Sequence, residues 1–483
     1  MLENFTIRKL IDGYKASQFS VSEIVEAYYA RIADLNPEFN VYVDLSRDQA
    51  LEQVSRMSSY DIDKSLLYGV PMGLKDVFSL KGAKLTACSK LLKDYRPSFT
   101  APSVQRLLDN GAIPLGMLNT DEFTCGASTE NSCYGPTLNP YNKNMVAGGS
   151  SGGSAALVPL DLGVFATATD TGGSIRQPAS FCNAVGLKPT YGRISRSGVI
   201  SMASSFDTIG HATKTVEDSA IVLQAMAGIC KYDSTTVDKP VDKYLDYLHK
   251  GVKGLKVGLP KEYFSDALDP EVKKIILKAV DTLKSQGAEI VEVSLPYTKY
   301  GVAVYYIVSP SEVSANMNRY DGIRYGEFAT EGVNDLYSYY TKTRGRGFGP
   351  EMLRRIMMGS FCLSSESYEA YYMKAQKVRT LIIEDFKKAF EKVDVICSPV
   401  SPFPAFELNS KTSNPLEMYL CDSLTIPSCC AGIPGISVPA GFTEANLPVG
   451  LQILAPHFQE GLLFQAAQVV EQATKSFEKV PSV

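Results

Sequence analysis

Between Ala147 and Pro189 the chain packs two glycine-serine clusters, GGSSGGS at Gly148 to Ser154 and DTGGSIRQP at Asp170 to Pro178, around one apolar, alanine-rich stretch. Packing alone explains such a stretch poorly. Each glycine gives up side-chain contacts and costs ordering entropy, so glycines and hydroxyls set between hydrophobic segments suggest close approach of backbone to a substrate. Upstream, GVPMGLKDVF places Lys75 alone inside an apolar run. Serines on tight glycine turns with an isolated lysine suggest a serine hydrolase whose base is not histidine. The three histidines, His211, His249 and His457, fall in no segment with a triad pattern and read as structural or surface residues.

The surrounding chain reads as one α/β core. Ser20-Val-Ser-Glu23 forms a capping box ahead of the helical stripe Ile24, Tyr28, Ile32 and Leu35, which Asn36-Pro37 is expected to end, so residues 1 to about 60 read as helical. From Tyr68 short apolar segments such as GVPMGL and AIPLGML alternate with helical stretches such as Ser103 to Asp109, a pattern that implies a mixed sheet covered by helices. Gly254 to Pro260 reads as a strand, Asp269-Pro270 caps a helix to about Ser285, and Ala288 to Val293 reads as a second strand. Tyrosine-rich helices are expected over about Val302 to Arg319 and Tyr368 to Ala389, before DVICSPVSPFPAF returns the chain to a strand.

Composition narrows the function classes. A net charge of −4 over 483 residues offers no long-range attraction for a polyphosphate. Ten cysteines occur without a CxxC pair, which argues against a zinc site or a secreted disulfide framework and for a reducing, cytoplasmic setting. The N-terminal segment carries Glu3 and Asp12 and lacks the apolar core of a signal or transit peptide, and no run approaches membrane-spanning length. GSIRQP lacks the GxxxxGK[ST] arrangement and no GxGxxG follows a strand, so no nucleotide site is visible.

Lys75, GGSSGGSAA and DTGGSIRQPASFCNAVGLKPTYGRISR together resemble the amidase signature family in residue type, order and spacing. The resemblance implies a Ser-cisSer-Lys triad of Lys75, Ser150 and Ser174, with Ser174 the nucleophile, a cis peptide beside Ser150 and hydrogen-bond reach between successive members. It also implies the family's α/β fold: a large mixed β-sheet core covered by helices on both faces. Residues 1–60 then form a helical segment packing on the core, and 61–483 a single domain with catalytic motifs at 68–210 and substrate-pocket segments at 300–440.

Lys75 can act as a base only when neutral, and burial supplies the reason, because desolvation disfavours the ammonium. Ser150 would relay the proton between Lys75 and Ser174. The backbone N–H groups of Thr171, Gly172, Gly173 and Ser174 are expected to converge on the developing oxyanion. Taken alone, a lone lysine beside a strand is more often a snorkelling surface residue, and DTGGS reads equally well as a glycine turn. Asp170 and Arg176 are expected to hold the loop through charged hydrogen bonds.

Further segments, among them TDEFTCGASTENSCYGPTLNP, GFGPEMLRRIMMG and MYLCDSLTIPSCCAGIPGISVPAGF, resemble the A subunits of glutamyl-tRNA(Gln) amidotransferases within that family. The implied substrate is glutamine, a zwitterion whose pocket needs a cation and an anion. By resemblance these are Arg355 for the α-carboxylate and Asp422 for the α-ammonium, with Tyr305 or Tyr306 as a wall, although on sequence alone the Arg reads as a surface charge and the Asp as a helix cap. Partner B and C subunits of a heterotrimer, tRNA met mainly through a partner, and ATP with Mg on a partner follow from the same resemblance, with no metal or cofactor in this chain and Asp-tRNA(Asn) as an additional acceptor. The alternatives are a free-standing amidase of simple amides and a catalytically silent assembly subunit. Cys429-Cys430, Pro310 and Val158-Pro159 depart from the subfamily pattern, and Pro310 is expected to interrupt its helix.

Overall fold

The computed structural model describes residues 4–326 and 331–482. Glu3, used above in reading the N-terminal segment, lies outside the described residues, as do residues 327–330 of the expected pocket span. Among the described residues thirteen strands are formed: β1 (Tyr42–Leu45), β2 (Pro71–Lys75), β3 (Ile113–Leu118), β4 (Leu138–Asn139), β5 (Asn142–Val146), β6 (Phe165–Asp170), β7 (Val185–Lys188), β8 (Thr208–Thr213), β9 (Lys256–Pro260), β10 (Glu289–Val293), β11 (Val395–Pro399), β12 (Gly435–Phe442) and β13 (Pro448–Leu454). Eleven share one sheet in the order β1-β3-β2-β6-β8-β7-β12-β13-β11-β9-β10, while β4 and β5 form a separate ribbon. The sheet is mixed: β3, β2 and β6 run parallel, as do β11, β9 and β10, and antiparallel pairs join the two groups.

Every residue of β2, β3, β6, β7, β8, β11 and β13 is buried, which requires cover on both faces of the sheet's centre. The helix Gly152–Leu157 lies on β2 and β6, Arg176–Phe181 on β12 and β13, and Glu460–Thr474 on β12. The N-terminal helices Ile7–Lys15 and Val21–Phe39 lend Ile7, Leu10, Ile24, Tyr28 and Ile32 to the same hydrophobic core.

Three local expectations need correction. The helix that begins at the Ser20/Glu23 capping box does not stop at Asn36-Pro37 but runs to Phe39 and ends at left-handed Asn40. Asn36 makes this possible, since its side chain accepts from the N–H groups of Val41 (2.9 Å) and Tyr42 (2.6 Å) and secures the exit into β1. That strand is the second correction, because residues 1–60 are not wholly helical: Tyr42–Leu45 pairs antiparallel with β3. Third, Pro310 lies inside an unbroken helix, Gly301–Met317. There the backbone of Gly359 packs so closely on the Pro310 carbonyl that a Cβ would come within 1.9 Å of its oxygen.

Candidate active site

β2 and β6 are parallel neighbours, so their C-terminal ends, Lys75 and Thr169-Asp170, lie at one edge of the sheet. Lys75 is wholly buried. Its Nζ lies 2.8 Å from Ser150 Oγ, 2.8 Å from Ser151 Oγ and 2.9 Å from Thr169 Oγ1. Among the described residues no carboxylate forms an ion pair with it. Burial lowers its pKa to about 7, against the upward pull of Asp121 and Asp170. At neutral pH a large share of the amine is therefore unprotonated and can accept a proton.

The Gly149–Ser150 peptide is cis. Its surroundings are crowded: a Cβ on Gly149 would sit 2.4 Å from Asp121 Oδ2 and 2.6 Å from the Ser128 nitrogen. The Gly149 N–H donates to Gln177 Oε1 at 3.0 Å, and the Ser151 N–H donates to the Ser174 carbonyl at 3.2 Å, tying the two glycine-serine clusters together. The first expected link of the relay, Lys75 to Ser150, is thus made. The second is not: among the described residues no hydrogen bond joins the hydroxyls of Ser150 and Ser174. Catalytic hydrogen bonds of unliganded enzymes are often long and tighten only in the loaded complex. Ser174 is 6% exposed whereas Lys75 and Ser150 are fully enclosed, so Ser174 is the member that faces the site's opening.

The loop Thr171 to Ser174 is wedged from below. The Gly172 carbonyl accepts from Thr425 Oγ1 at 2.7 Å, and Thr171 Oγ1 donates to Asp207 at 2.8 Å. A side chain at Gly172 would strike the ring of Tyr305, and one at Gly173, whose φ is +149°, would strike Thr425 and Asp422. Among the described residues the N–H groups of Thr171, Gly172, Gly173 and Ser174 donate to no protein acceptor, while the next donor, Ile175, is taken by Asp170 at 3.3 Å. All four expected donors thus remain available to an oxyanion.

Asp170 and Arg176 form a fully buried, two-point ion pair, Nε to Oδ2 at 2.9 Å and Nη2 to Oδ1 at 3.0 Å. Ser428 Oγ and Gln452 Oε1, each 2.6 Å from Nη1, and Cys429 Sγ at 3.0 Å and the Thr425 carbonyl at 3.3 Å from Nη2 complete the guanidinium's shell. Despite burial, the Arg176 guanidinium beside it holds the Asp170 carboxyl below its usual value. His211 bonds Ser219 at 2.8 Å with its pKa pushed down to about 3 by burial, His457 contacts the Ala431 carbonyl, and His249 is exposed, so none approaches Ser174 within hydrogen-bond distance.

A cavity of about 210 Å³ opens between the helix Pro350–Cys362 and the segments around Ser128 and Tyr419. Tyr306 and Tyr419 stack at 3.6 Å on its wall, with the Arg355 guanidinium over both rings. Arg355 is 3% exposed and its Nε donates to Glu351 Oε1 at 2.8 Å. Of the two expected wall tyrosines, Tyr306 lines this cavity. Tyr305 instead packs beneath Gly172 and edge-on to Phe206 at 5.4 Å. Asp422 is buried beside Gly173, and among the described residues its Oδ1 has no partner. Burial, reinforced by the charge of Asp170, pushes its carboxyl well above the usual carboxylate range.

Sequence reasoning missed Ser151, Thr169, Gln177, Asp121, Glu351 and Tyr419. Two had a usable signal: Glu351 precedes Arg355 by one helical turn, the spacing of an ion pair, and Tyr419 precedes Asp422 by three residues. Among the described residues no group of His, Cys, Asp or Glu is arranged to hold a metal ion, and no helix is long and apolar enough to cross a membrane.

The family model Amidase matches residues 23–464. The chain is 50% identical over 477 residues, 98% of each protein, to the A subunit of the glutamyl-tRNA(Gln) amidotransferase of Geotalea daltonii. It is 48% identical over 482 residues, the whole of both, to that of Halothermothrix orenii. The crystal structure of the A subunit of the glutamyl-tRNA(Gln) amidotransferase from Thermotoga maritima superposes with a TM-score of 0.83 at 34% identity, covering 100% of this chain and 98% of that one. A bacterial aryl acylamidase of the amidase signature family superposes with 0.84 at 25% identity, over 99% and 98%.

Proposed function

Since this chain belongs to the amidase family, we propose that it is the glutamine-hydrolysing A subunit of a glutamyl-tRNA(Gln) amidotransferase, acting through Lys75, Ser150 and Ser174. Asp422 carries the choice of glutamine over a simple amide. A buried carboxyl with an unpartnered oxygen beside the nucleophile loop is costly unless a ligand satisfies it, and an α-ammonium would do so. Arg355 on the cavity wall supplies the complementary cation for the α-carboxylate. Transfer of the ammonium's positive charge into the site favours ionised Asp422.

With the side-chain amide over Ser174, its Oγ attacks the carbonyl carbon while its proton passes to Ser150 and the Ser150 proton passes to neutral Lys75. Negative charge on the former carbonyl oxygen meets N–H groups of the Thr171 to Ser174 loop. Lys75 and Ser150 return a proton to the amide nitrogen, ammonia leaves, and a glutamyl ester remains on Ser174. Water, deprotonated by the same pair, cleaves the ester to glutamate and regenerates the hydroxyl. Ammonia would then pass to partner B and C subunits in the cytoplasm, where a partner holding ATP and Mg would supply the activation of the glutamate of misacylated Glu-tRNA(Gln), or of the aspartate of Asp-tRNA(Asn), for amidation by that ammonia.

Ammonia release from glutamine, measured with and without the partner subunits, tests the reading. Asp422→Asn should raise the KM for glutamine roughly 30-fold, about 2 kcal/mol, and affect a small primary amide far less. Turnover confined to simple amides would assign a free-standing amidase, and no turnover on any amide a silent assembly subunit.

A further inference from the structure

Two consecutive acidic residues, Asp121 and Glu122, point their carboxylates into different parts of the site. Asp121 accepts from the N–H groups of Thr129 (2.9 Å) and Asn131 (3.1 Å) and lies against Gly149, beside the serine that contacts Lys75. Glu122, 4% exposed, accepts from Ser89 Oγ at 2.5 Å and from the Gly349 N–H at 2.8 Å. Gly349 is the N-cap of the helix Pro350–Cys362 and has no side chain with which to cap it. That helix carries Glu351 and Arg355 into the cavity. Its first turn leaves backbone N–H groups without intrahelical partners, and its dipole favours a negative charge there. Glu122 supplies the acceptor from 227 residues away. A Cβ at position 349 would stand 2.7 Å from Glu122 Oε2, so the glycine is what lets the carboxylate reach the backbone. Next in sequence, Phe123 packs its ring on Tyr320 at 4.7 Å and on Phe348 at 5.8 Å, the latter just before Gly349.

We propose that Glu122 is a positioning residue for substrate binding: by capping Gly349 it holds the helix that carries Arg355 in place against the Asp121 loop beside the catalytic serines. This rests on the reading that Arg355 receives the α-carboxylate of glutamine. The charged and titratable groups around Glu122 are Lys90, Cys125, Cys133 and Asp121. Burial lifts its carboxyl to about 7, opposed by the bonds from Ser89 and Gly349. A glutamine at this position would retain both hydrogen bonds, its carbonyl accepting from Gly349 and its amide donating to Ser89 Oγ. An alanine would retain neither.

The test uses the full chain assembled with its partner subunits. Glu122→Ala should raise the KM for glutamine roughly tenfold with kcat changed by less than about threefold, a cap's usual contribution, and Glu122→Gln should restore KM to near the wild-type value. Backbone amide exchange in the peptide spanning residues 347–353 should accelerate by a similar factor in the alanine variant and not in the glutamine variant. A purely structural role would instead lower the melting temperature and the active fraction at unchanged KM, and that result overturns the proposal, as does unaltered exchange. If the wild-type assembly releases no ammonia from glutamine, the functional reading falls first, and the exchange measurement alone decides the clamp.

Discussion

Lys75 and Arg176 are both fully buried cations bonded to adjacent residues of β6, and their surroundings differ in kind. Successive side chains on a strand point to opposite faces, and here Thr169 turns to Lys75 while Asp170 turns to Arg176. Arg176 therefore gains a bidentate carboxylate, a hydroxyl and an amide oxygen, and its guanidinium is held charged. Lys75 gains three hydroxyls and no carboxylate partner, and its pKa drops to about 7. One cation is fixed as a strut that fastens the base of the Thr171–Ser174 loop to the Thr425–Cys429 segment. The other is left able to exchange its proton. The difference is which group the strand offers, a carboxylate or a hydroxyl, rather than depth of burial.

The comparison fails outright if the proton-exchanging half does no chemistry. Ser174→Ala should reduce ammonia release by about 10⁴-fold or more, with stability changed by no more than about 0.5 kcal/mol, because among the described residues the removed hydroxyl makes no hydrogen bond. Retained release would remove Ser174 as nucleophile.

The same substitution at the two cations should then have opposite signs. Arg176→Met strands a buried carboxylate and should cost about 3–5 kcal/mol. Lys75→Met should inactivate the protein yet stabilise it by about 3 kcal/mol at pH 6. The folded pKa of Lys75 lies below the unfolded value of 10.5. The cost of burying the ammonium is thus fully present below pH 7 and fades as pH rises from 7 toward 10.5, where the unfolded chain still binds the proton. The gain from Lys75→Met must shrink over that same window. Denaturant titrations at pH 6 and pH 9 measure it, and equal gains at both would show that Lys75 is not buried as an ammonium at pH 6.

Much of this contrast was legible in the chain. An isolated lysine ending an apolar strand and two serines on glycine turns are local signals, and so is the Asp269-Pro270 cap, whose carboxylate accepts from Glu271 and Val272 at the head of the helix Pro270–Ser285. The two strands read on either side of this helix are present and pair in parallel. What stayed hidden depends on partners distant in sequence. β1 is four residues long and is specified by pairing with β3 rather than by its own pattern. Pro310 reads as a helix breaker because its contact with the Gly359 backbone is tertiary, whereas for Pro37 the contact is local, the bonds of the Asn36 side chain to Val41 and Tyr42, which no residue pattern announces. The stacking of Tyr306 on Tyr419, which decides between the two candidate wall tyrosines, joins residues more than a hundred positions apart.

The smallest effect tests the cause of the contrast directly. If the hydroxyl shell and burial leave Lys75 near 7, kcat/KM for a small primary amide, which carries no α-ammonium and so leaves Asp422 out, should fall about tenfold per pH unit below 7 and level off above 8. Thr169→Asp would put a carboxylate where Lys75 now meets a hydroxyl, giving it what Arg176 has. An opposite charge at hydrogen-bond distance favours the ammonium, so the inflection should move up by at least about one unit, activity at pH 7 should fall by about fivefold or more, and part of it should return at higher pH. A pH profile in Thr169→Asp that superposes on the wild type would mean that the hydroxyl at 169 is not what leaves Lys75 free to exchange its proton.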